Sequence, residues 1–320
     1  MRGRPTGLAR AGITTAGAVA LLLPEAFGLD RTPPWPIVTA FRRRLAVGTA
    51  AGALAVGVRP GPWRASAIAV STVAAGALGL SVHRHRARPE PVGAGAEPLS
   101  VLGANVWLGR ADPAALATTI AAERPDVVVL PEAGDPFRKR LLDGLEGYRG
   151  WSCAPGRAAV EAAGADDGPC LTVLTAARLG EVDVRVVSAD TRSGWVVVSG
   201  GGLGAVRVLG VHPAVLLPDT TPDWVRELSL LHPWLADPAR PTIVVGDLNA
   251  TLEHGPLQDA LGDARPVTRR VAATWPSWWR RSIGVTIDHV LVSGAIHVRS
   301  VEVLDVPGSD HRAVLARFTR

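Results

Sequence analysis

The run Gly246-Asp247-Leu248-Asn249 follows the apolar stretch 242–245, and Ser309-Asp310-His311 stands near the end of the chain. Together these two motifs place two carboxylates, an amide and an imidazole at the ends of predicted β-strands. Such groups, held on rigid elements, are the ones that metal-assisted hydrolysis of phosphate esters uses. The two motifs therefore indicate metal-assisted hydrolysis of a phosphate ester.

Short apolar runs alternate with helical segments from residue 99 onward, and no internal repeat is visible. Asp112 followed by Pro113 is a typical helix start, because the carboxylate caps the helix and proline needs no N–H there. A glycine run at 200–204 between two apolar stretches predicts a hairpin. The predicted strands are 99–105, 126–130, 194–199, 206–211, 242–245 and 287–292, and the predicted helices are 112–122 and 221–235.

Polar residues adjoin many of these strands. Each one alone is explained as a turn former, but the arrangement recurs along the chain. Strand ends on one side of packed sheets meet at a shared rim, where rigid elements can hold ligands precisely. We therefore expect these residues to converge on one site. The candidates are Asn105, Glu132, His212, Asp247, Asn249, Asp288, Asp310 and His311.

In this order, the motifs resemble the endonuclease/exonuclease/phosphatase superfamily, the group of deoxyribonuclease I, apurinic endonucleases and inositol phosphatases. The resemblance covers about residues 99–320, and Ile287-Asp288-His289 lies where the family has its third acidic motif. It implies an α/β fold, a four-layered α/β sandwich of two packed, mostly antiparallel sheets flanked by helices, with the active site across their common edge. Two features depart from the family: Pro131 replaces the usual Gln, and the Leu-Ser-Arg signature appears only as 174–178.

Chemistry and the resemblance together suggest a metal site. Glu132 is the best candidate for a Mg²⁺ ligand, since a hard cation prefers carboxylate oxygen, and Mn²⁺ is the alternative ion. Asn105 can position the same metal or its water, and Asp310 is the third predicted ligand. The ion would neutralise phosphate oxygens and the charge that develops in the transition state.

The catalytic residues are predicted in the same way. Asp288 is expected to hydrogen-bond to the ring of His311, which in the family either deprotonates the attacking water or stabilises the phosphoryl oxygens. Asp247 orients the nucleophile or the leaving group, and Asn249 donates to a phosphate oxygen. His212 donates to phosphate or protonates the leaving oxygen. The acidic partner that some nucleases place behind this histidine is not found in the sequence.

The first part of the chain is rich in Ala, Gly, Val and Leu, with clusters of arginine. Three apolar stretches, 11–27, 45–58 and 63–82, each approach the roughly 20 residues that cross a bilayer. A signal peptide followed by a disordered linker is the alternative, although no clean cleavage site follows the first stretch. The predicted organisation is a transmembrane anchor of three helices at 1–83, a linker at 84–98 and a catalytic domain at 99–320.

This architecture is similar to membrane-anchored teicoplanin-resistance (VanJ-like) members of the superfamily. The positive-inside rule gives a divided answer: the arginine count favours a cytoplasmic catalytic domain, whereas the amino-terminal arginines favour an extracytoplasmic one. We expect a multi-pass protein of the cell membrane with the catalytic domain outside. The net charge of +5 is weak evidence for nucleic-acid binding, because many arginines flank the apolar stretches, where they meet anionic head groups.

Two further features bear on the environment and the substrate. Cys153 and Cys170 bracket a Gly- and Ala-rich loop, and either a surface disulfide or two buried thiols fits this spacing. The loop 274–281 carries Trp275, Trp278 and Trp279 beside arginines. It is a covering loop, an anchor at the lipid interface or a base-stacking surface. Tethering to a bilayer favours lipid phosphates, which a tethered domain meets at high effective concentration.

The sequence thus predicts a membrane-anchored, Mg²⁺-dependent phosphohydrolase whose partners are the lipid bilayer and a lipid-linked phosphate or pyrophosphate of the cell envelope. A membrane-tethered nuclease acting on phosphodiesters is the alternative among enzymes. A catalytically decayed envelope binding protein is the alternative outside enzymes, and the retained carboxylate motifs argue against it. The sequence indicates no protein partner.

Overall fold

The structure is a computed structural model that describes residues 7–58, 60–86, 97–154, 167–188, 191–237, 239–270 and 272–320. Most of the predicted linker at 84–98 lies outside these residues. The chain forms two compact units. A helical unit comprises Met1–Arg86, Leu216–Pro222 and Leu252–Gln258, and an α/β unit comprises Ala87–Val215, Asp223–Thr251 and Asp259–Arg320.

The helical unit contains all three predicted apolar stretches as helices. Its elements are α1 (Gly7–Leu22), α2 (Trp35–Thr39), α3 (Arg42–Gly57) and α4 (Arg64–Arg84). Small side chains let the helices pack closely, and the buried contacts are made by Leu22, Ala46, Ala74 and Ala77.

Among the described residues, one helix is both long and apolar enough to cross a membrane. This helix is α4, with 21 residues. The apolar part of α1, Ala9–Leu22, is shorter. Helix α3 has 16 residues and rises about 24 Å, which is less than the roughly 30 Å of a bilayer core. The prediction of three membrane spans, and with it the multi-pass localisation, is therefore not supported.

A buried ionic cluster lies within the helical unit. The guanidinium of Arg42 is almost fully buried and pairs with Glu25 at 2.7 Å and with Glu253 at 3.4 Å. Ser81 and Arg84 also donate hydrogen bonds to Glu253. Arg42 is one of the arginines beside the apolar stretches, and it does not face head groups: a desolvated guanidinium needs carboxylate partners, which the fold supplies.

The α/β unit is built on two six-stranded sheets. In chain order the strands are β1 (Pro98–Gly103), β2 (Val127–Pro131), β3 (Tyr148–Cys153), β4 (Leu171–Ala176), β5 (Asp183–Ser188), β6 (Trp195–Ser199), β7 (Arg207–Val211), β8 (Thr242–Asp247), β9 (Arg265–Pro266), β10 (Asp288–Val292), β11 (His297–Asp305) and β12 (Arg312–Thr319). The other α-helices among the described residues are α5 (Pro113–Glu123), α6 (Asp135–Asp143), α7 (Thr221–Ser229), α8 (His232–Leu235) and α9 (Gly255–Leu261).

Each sheet has a single parallel strand pair among antiparallel ones. The first sheet has the order β11-β12-β1-β2-β4-β3 with β1 and β2 parallel. The second has the order β5-β6-β7-β8-β10-β9 with β7 and β8 parallel. The predicted α/β sandwich with mostly antiparallel sheets is therefore confirmed.

The core lies between the two sheets. Val129 of the first sheet and Val245 of the second belong to one buried cluster, whereas Leu130 points the other way and packs with Phe137 of α6. Both faces of β2 are buried, which explains why its sequence is a continuous apolar run rather than an alternating one.

The local predictions hold with one exception. Asp112 caps α5, and its carboxylate accepts hydrogen bonds from the amides of Ala114 and Ala115. The single helix predicted over 221–235 is wrong, because the chain forms α7 and then α8 with a turn between them. Pro233 stands at the start of α8, and a proline inside one continuous helix would remove a backbone hydrogen bond.

Gly246 provides a test of how tightly the sheet is built around the first motif. Its φ is +155°, and a Cβ at this position would lie 1.8 Å from the carbonyl oxygen of Val211 on β7. We expect Gly246→Ala to lower the free energy of unfolding by about 3 kcal/mol or more, because backbone must move. The control Gly144→Ala places its Cβ no closer than 3.6 Å to any neighbour. Chemical denaturation measures the free energy of unfolding of both variants. Equal values for Gly246→Ala and Gly144→Ala would contradict the tight packing around Gly246.

Candidate active site

The first sheet brings three predicted residues to one of its edges. Asn105 follows β1 and Glu132 follows β2, and these strands run parallel, so the two side chains lie side by side. Strand β12 runs antiparallel to β1, and His311, which precedes β12, therefore lies at the same edge.

The second sheet supplies the other half of the site in the same manner. His212 follows β7 and Asp247 ends β8, which is parallel to β7. Strand β10 is antiparallel to β8, and its first residue, Asp288, pairs directly with Asp247. The structure thus brings these predicted residues to the common edge of the two sheets.

The amide of Asn105 lies between two carboxylates. Its Nδ2 donates to Oε1 of Glu132 at 3.1 Å and to Oδ2 of Asp247 at 3.0 Å, and its Oδ1 accepts from the amide of Trp107 at 2.8 Å. The amide nitrogen therefore holds the two carboxylates together, and the amide oxygen is engaged by the following turn.

The backbone at the site is strained. Glu132 has φ +62° and Asn249 has φ +49°, and Trp107 and Leu108 also lie in the left-handed region at +49° and +54°. The second carboxylate oxygen of Glu132 accepts the Leu108 amide at 2.8 Å. Left-handed backbone costs about 1–3 kcal/mol for such residues and concentrates at functional sites, where the surrounding contacts enforce it.

His311 and Asp288 form a buried pair. The Nδ1 atom of His311 lies 2.9 Å from Oδ2 of Asp288, and its Nε2 lies 3.7 Å from Oδ2 of Asp247. Burial disfavours the charged imidazole, but the carboxylates of Asp288, Asp247 and Asp310 outweigh it and raise the pKa of His311 to about 10. The ring is therefore a cation at neutral pH.

Asp247 has the opposite environment. Its burial raises the pKa of the carboxyl group to about 7, although the nearby His311 charge and a hydrogen bond from the Asn249 amide act to lower it. That bond, from the Asn249 amide to Oδ1, is 2.8 Å long. A carboxylate with a pKa near neutral is suited to accept a proton during catalysis. The side chain of Asn249 itself donates to the carbonyl of Pro213 at 3.2 Å.

His212 has a hydroxyl as its partner, which the sequence does not reveal. Its Nδ1 lies 3.0 Å from Oγ of Ser193. Its Nε2 lies 3.9 Å from both Oε1 of Glu132 and Oδ2 of Asp247. Burial lowers the pKa of His212. Nothing in the residues around Ser193 marks it in advance, because the loop before β6 carries no motif.

Asp310 and Ser309 tie the last motif to the first strand. The Ser309 hydroxyl donates to the Asn105 carbonyl at 2.7 Å and accepts from the His311 amide at 3.0 Å. Oδ2 of Asp310 accepts from the indole of Trp275 at 3.3 Å. Oδ1 of Asp310 is buried and has no hydrogen-bond partner among the described residues. Burial raises the pKa of this carboxyl group.

The donor set fits a divalent cation. Carboxylates outnumber imidazoles at this edge, and Oδ1 of Asp310, which accepts no hydrogen bond from the described residues, lies 3.8 Å from Nε2 of His311 and can accept a further cation or donor. Ligand atoms of Asp247, Asp288 and His311 also lie within 4.8 Å of one another and are buried, and of these three groups the two carboxylates can bind a cation while the ring of His311 is protonated. Hard cations prefer such oxygen-rich sites.

Other candidate groups lie outside the site. Both ring nitrogens of His289 are engaged, Nδ1 with the Thr268 hydroxyl at 2.7 Å and Nε2 with the Ala250 carbonyl at 2.8 Å. Cys153 and Cys170 are buried thiols that form no disulfide, which is the second of the two alternatives for this pair. Burial raises the pKa of Cys153 to about 11, which makes the thiol unreactive.

The sequence pattern of the Endonuclease/Exonuclease/phosphatase family matches residues 102–311. No curated protein matches the chain. Among solved structures, a humanised TDP2 from D. rerio is similar with a TM-score of 0.56 and 15% identity, over 70% of this chain and 99% of that one. A mannosyl-6-phosphatase from Bacteroides thetaiotaomicron is similar with a TM-score of 0.52 and 17% identity, over 69% of this chain and 99% of that one.

A conserved protein of unknown function from Enterococcus faecalis is also similar, with a TM-score of 0.54 and 14% identity, over 69% of this chain and 99% of that one. Likeness at these identities establishes the fold of the α/β unit. The narrower likeness to teicoplanin-resistance membrane proteins stays a prediction.

The charge of His311 can be tested by replacing its partner. Because Asp288 raises the pKa of His311, we expect Asp288→Asn to lower that pKa clearly below the wild-type value near 10. The raised pKa also stabilises the fold: this contribution is complete below the ordinary value of 6.5 and is lost as the pH rises toward 10. NMR titration of the imidazole in the presence of a chelator measures the pKa.

In that titration, His311→Gln identifies the signal, and Asp183→Asn removes an exposed carboxylate as the control. A pKa of His311 that is the same in wild type and in Asp288→Asn would contradict the assigned pair.

Proposed function

The chain belongs to the Endonuclease/Exonuclease/phosphatase family, and we propose that it is a Mg²⁺-dependent phosphohydrolase that acts on a lipid-linked phosphate or pyrophosphate of the cell envelope. Hydrolysis of phosphoric esters follows from the family. The observation that carries the mechanism is the common edge where carboxylates and imidazoles from both sheets converge.

The proposed metal ligands are Glu132 and Asp310, with the Asn105 amide fixing the orientation of Glu132. The unpartnered oxygen of Asp310 supports this assignment. Mg²⁺ is the preferred ion for an oxygen-rich site, with Mn²⁺ as the alternative. When bound, the ion supplies positive charge to the phosphate oxygens.

The protonation states divide the remaining roles. His311, a cation at neutral pH, donates from Nε2 to a phosphoryl oxygen and stabilises negative charge there. Asp247, with a pKa near 7, orients the attacking water and accepts its proton. Asp288 holds the His311 ring in place, and Asn249 and His212 donate to phosphate oxygens. This assignment chooses Asp247 over His311 as the base.

Exposed aromatic side chains at the rim support an apolar substrate. The side chains of Trp278 and Trp279 are 64% and 42% exposed, and Leu108 is 47% exposed. The Trp107 ring lies 6.4 Å from the Trp278 ring, at a tilt of 51°. The guanidinium of Arg110 lies over the Trp107 ring, 4.6 Å from the centroid of that ring. Tilted rings with one face covered do not form a parallel slot for a nucleobase, whereas they suit a flexible apolar chain.

The tryptophan loop is attached to the catalytic motif itself. The Ser277 amide donates to the Asp310 carbonyl at 2.7 Å, and the Ser277 hydroxyl donates to the Ser309 carbonyl at 2.8 Å. The Trp275 indole donates to the Asp310 carboxylate. These bonds place the exposed indoles beside the site, where a lipid whose phosphate is bound would meet them.

Membrane attachment is part of the proposal. Helix α4 is long and apolar enough to cross a bilayer. A catalytic unit tethered in this way meets lipid phosphates at high effective concentration. We place the catalytic unit on the extracytoplasmic side, where cell-envelope lipids with phosphate groups are exposed.

A nuclease is the second candidate. A D. rerio TDP2 of the same fold has been solved with a single-strand DNA product. In the present chain, Arg110 and the exposed indoles are groups that also bind single-stranded nucleic acid. The tilt of the rings and the apolar Leu108 favour the lipid substrate over the nucleic acid.

The proposed activity is tested by phosphate release from a polyprenyl pyrophosphate by the full-length protein in detergent with Mg²⁺. We expect Glu132→Ala and His311→Ala each to lower kcat/KM by at least about a hundredfold, because the first removes a proposed metal ligand and the second removes the cation that faces the phosphate. Glu146→Ala, which removes an exposed carboxylate, is the control and should match wild type.

Release that is equal in wild type and Glu132→Ala would refute the metal assignment. Absence of release from the lipid, together with digestion of single-stranded DNA, would favour the nuclease.

The aromatic rim is tested with Trp278→Ala combined with Trp279→Ala. We expect kcat/KM for lipid phosphate in vesicles to fall about tenfold relative to that for p-nitrophenyl phosphate, because the indoles contact only the lipid substrate. The ratio of the two rates is the measurement. An unchanged ratio would show that these indoles are only a covering loop.

A further inference from the structure

The partner of His212 is a fully buried hydroxyl. Ser193 has no exposed surface, and its Oγ lies 3.0 Å from Nδ1 of His212. Within the part of the chain that the structure describes, this is the hydrogen bond that the Ser193 hydroxyl makes. A hydroxyl carries a single proton, and a buried hydroxyl with one polar neighbour is best satisfied when it donates that proton to the neighbour.

This requirement fixes the protonation of the ring. If Ser193 donates to Nδ1, then Nδ1 carries a lone pair and no proton. The imidazole is then neutral, and its proton lies on Nε2. A charged ring would instead have N–H groups at both nitrogens, and the Ser193 proton would be left without its acceptor inside the fold, which is costly.

We infer that Ser193 fixes His212 as the neutral tautomer with its proton on Nε2, so that His212 donates a hydrogen bond to a non-bridging phosphate oxygen and does not protonate the leaving group. This inference rests on the proposed phosphoryl-ester chemistry of the same site. A neutral imidazole that gave up its Nε2 proton would become an imidazolate anion, which does not form at neutral pH. The ring can therefore donate a hydrogen bond but not the proton itself.

The Nε2 atom is positioned for this role. It lies 3.9 Å from Oε1 of Glu132 and 3.9 Å from Oδ2 of Asp247, which exceeds hydrogen-bond length. The N–H group is therefore directed toward the two carboxylates without being committed to either. An oxygen of a bound phosphate can accept it.

A second buried group fixes the spacing of Ser193 and His212. Glu227 on α7 accepts the Arg192 amide with Oε1 and the Ala214 amide with Oε2, both at 2.9 Å. These amides belong to the residue before Ser193 and to the second residue after His212. Glu227 thus joins the two segments through their backbones, and it is a positioning residue for the hydroxyl–imidazole contact.

The choice of partner decides the chemistry of the histidine. A carboxylate behind the ring keeps a proton on the facing nitrogen and stabilises the charged form, as Asp288 does for His311. A hydroxyl that donates does the reverse and keeps the facing nitrogen unprotonated. The two histidines of the site therefore receive different protonation states from their partners.

The tautomer is measured directly by ¹⁵N NMR of full-length protein in detergent with ring-labelled histidine, without added metal or substrate. His212→Gln identifies the signal among the eight histidines. We expect a protonated Nε2 and an unprotonated Nδ1 in wild type, and a loss of this preference in Ser193→Ala. A protonated Nδ1 in wild type, or the same tautomer in Ser193→Ala, would overturn the inference.

The matched control is Ser293→Ala. The Ser293 hydroxyl is also buried, and it accepts the Thr242 amide at the opposite end of β8 and β10 from Asp247 and Asp288. This control loses one buried hydrogen bond and should keep the His212 tautomer.

Kinetics with a series of aryl phosphates test the role. We expect Ser193→Ala to lower kcat/KM about fivefold, the typical effect of one hydrogen bond, by the same factor for acidic and for basic leaving phenols. A loss that grows with the basicity of the leaving phenol would show proton transfer from His212 and overturn the inference. Because the NMR measurement needs no turnover, a failure of the proposed activity would remain distinguishable from a failure of this inference.

Discussion

The amide of Asn105 is the contact on which the site depends. It donates to Glu132, which follows a strand of the first sheet, and to Asp247, which ends a strand of the second. Two neighbouring carboxylates repel each other, and a donor shared between them keeps them together at the common edge. The amide oxygen is held in turn by the Trp107 amide, so the orientation of the shared donor is fixed by the backbone.

The fold tolerates this concentration of charge because its core is large and apolar. Valines from both sheets fill the space between them, and helices cover the outer face of the first sheet. That packing offsets the cost of left-handed backbone at Glu132 and Asn249. It also holds the strand ends rigidly, which a site for metal and phosphate requires.

Residues of the same type differ in their electrostatic properties at the site, because each has different neighbours. Asp288 is hydrogen-bonded to His311, whereas Asp247, although equally buried, has a raised pKa near neutral. His311 lies among carboxylates and is a cation, whereas His212 lies against a hydroxyl and burial lowers its pKa. Like side chains thus take different roles, because each is placed in a different surrounding.

The sequence by itself placed polar residues after apolar strands, because that pattern is local, and the resemblance carried by its motifs implied the family, the α/β sandwich and the edge where the site forms. It also determined the cap at Asp112, whose partners lie two and three residues away. The tertiary structure alone decided that Ser193 faces His212, that Glu227 joins their segments and that Arg42 is buried against Glu253. These partners are distant in sequence, and only packing brings them within hydrogen-bond distance, so no local pattern could reveal them.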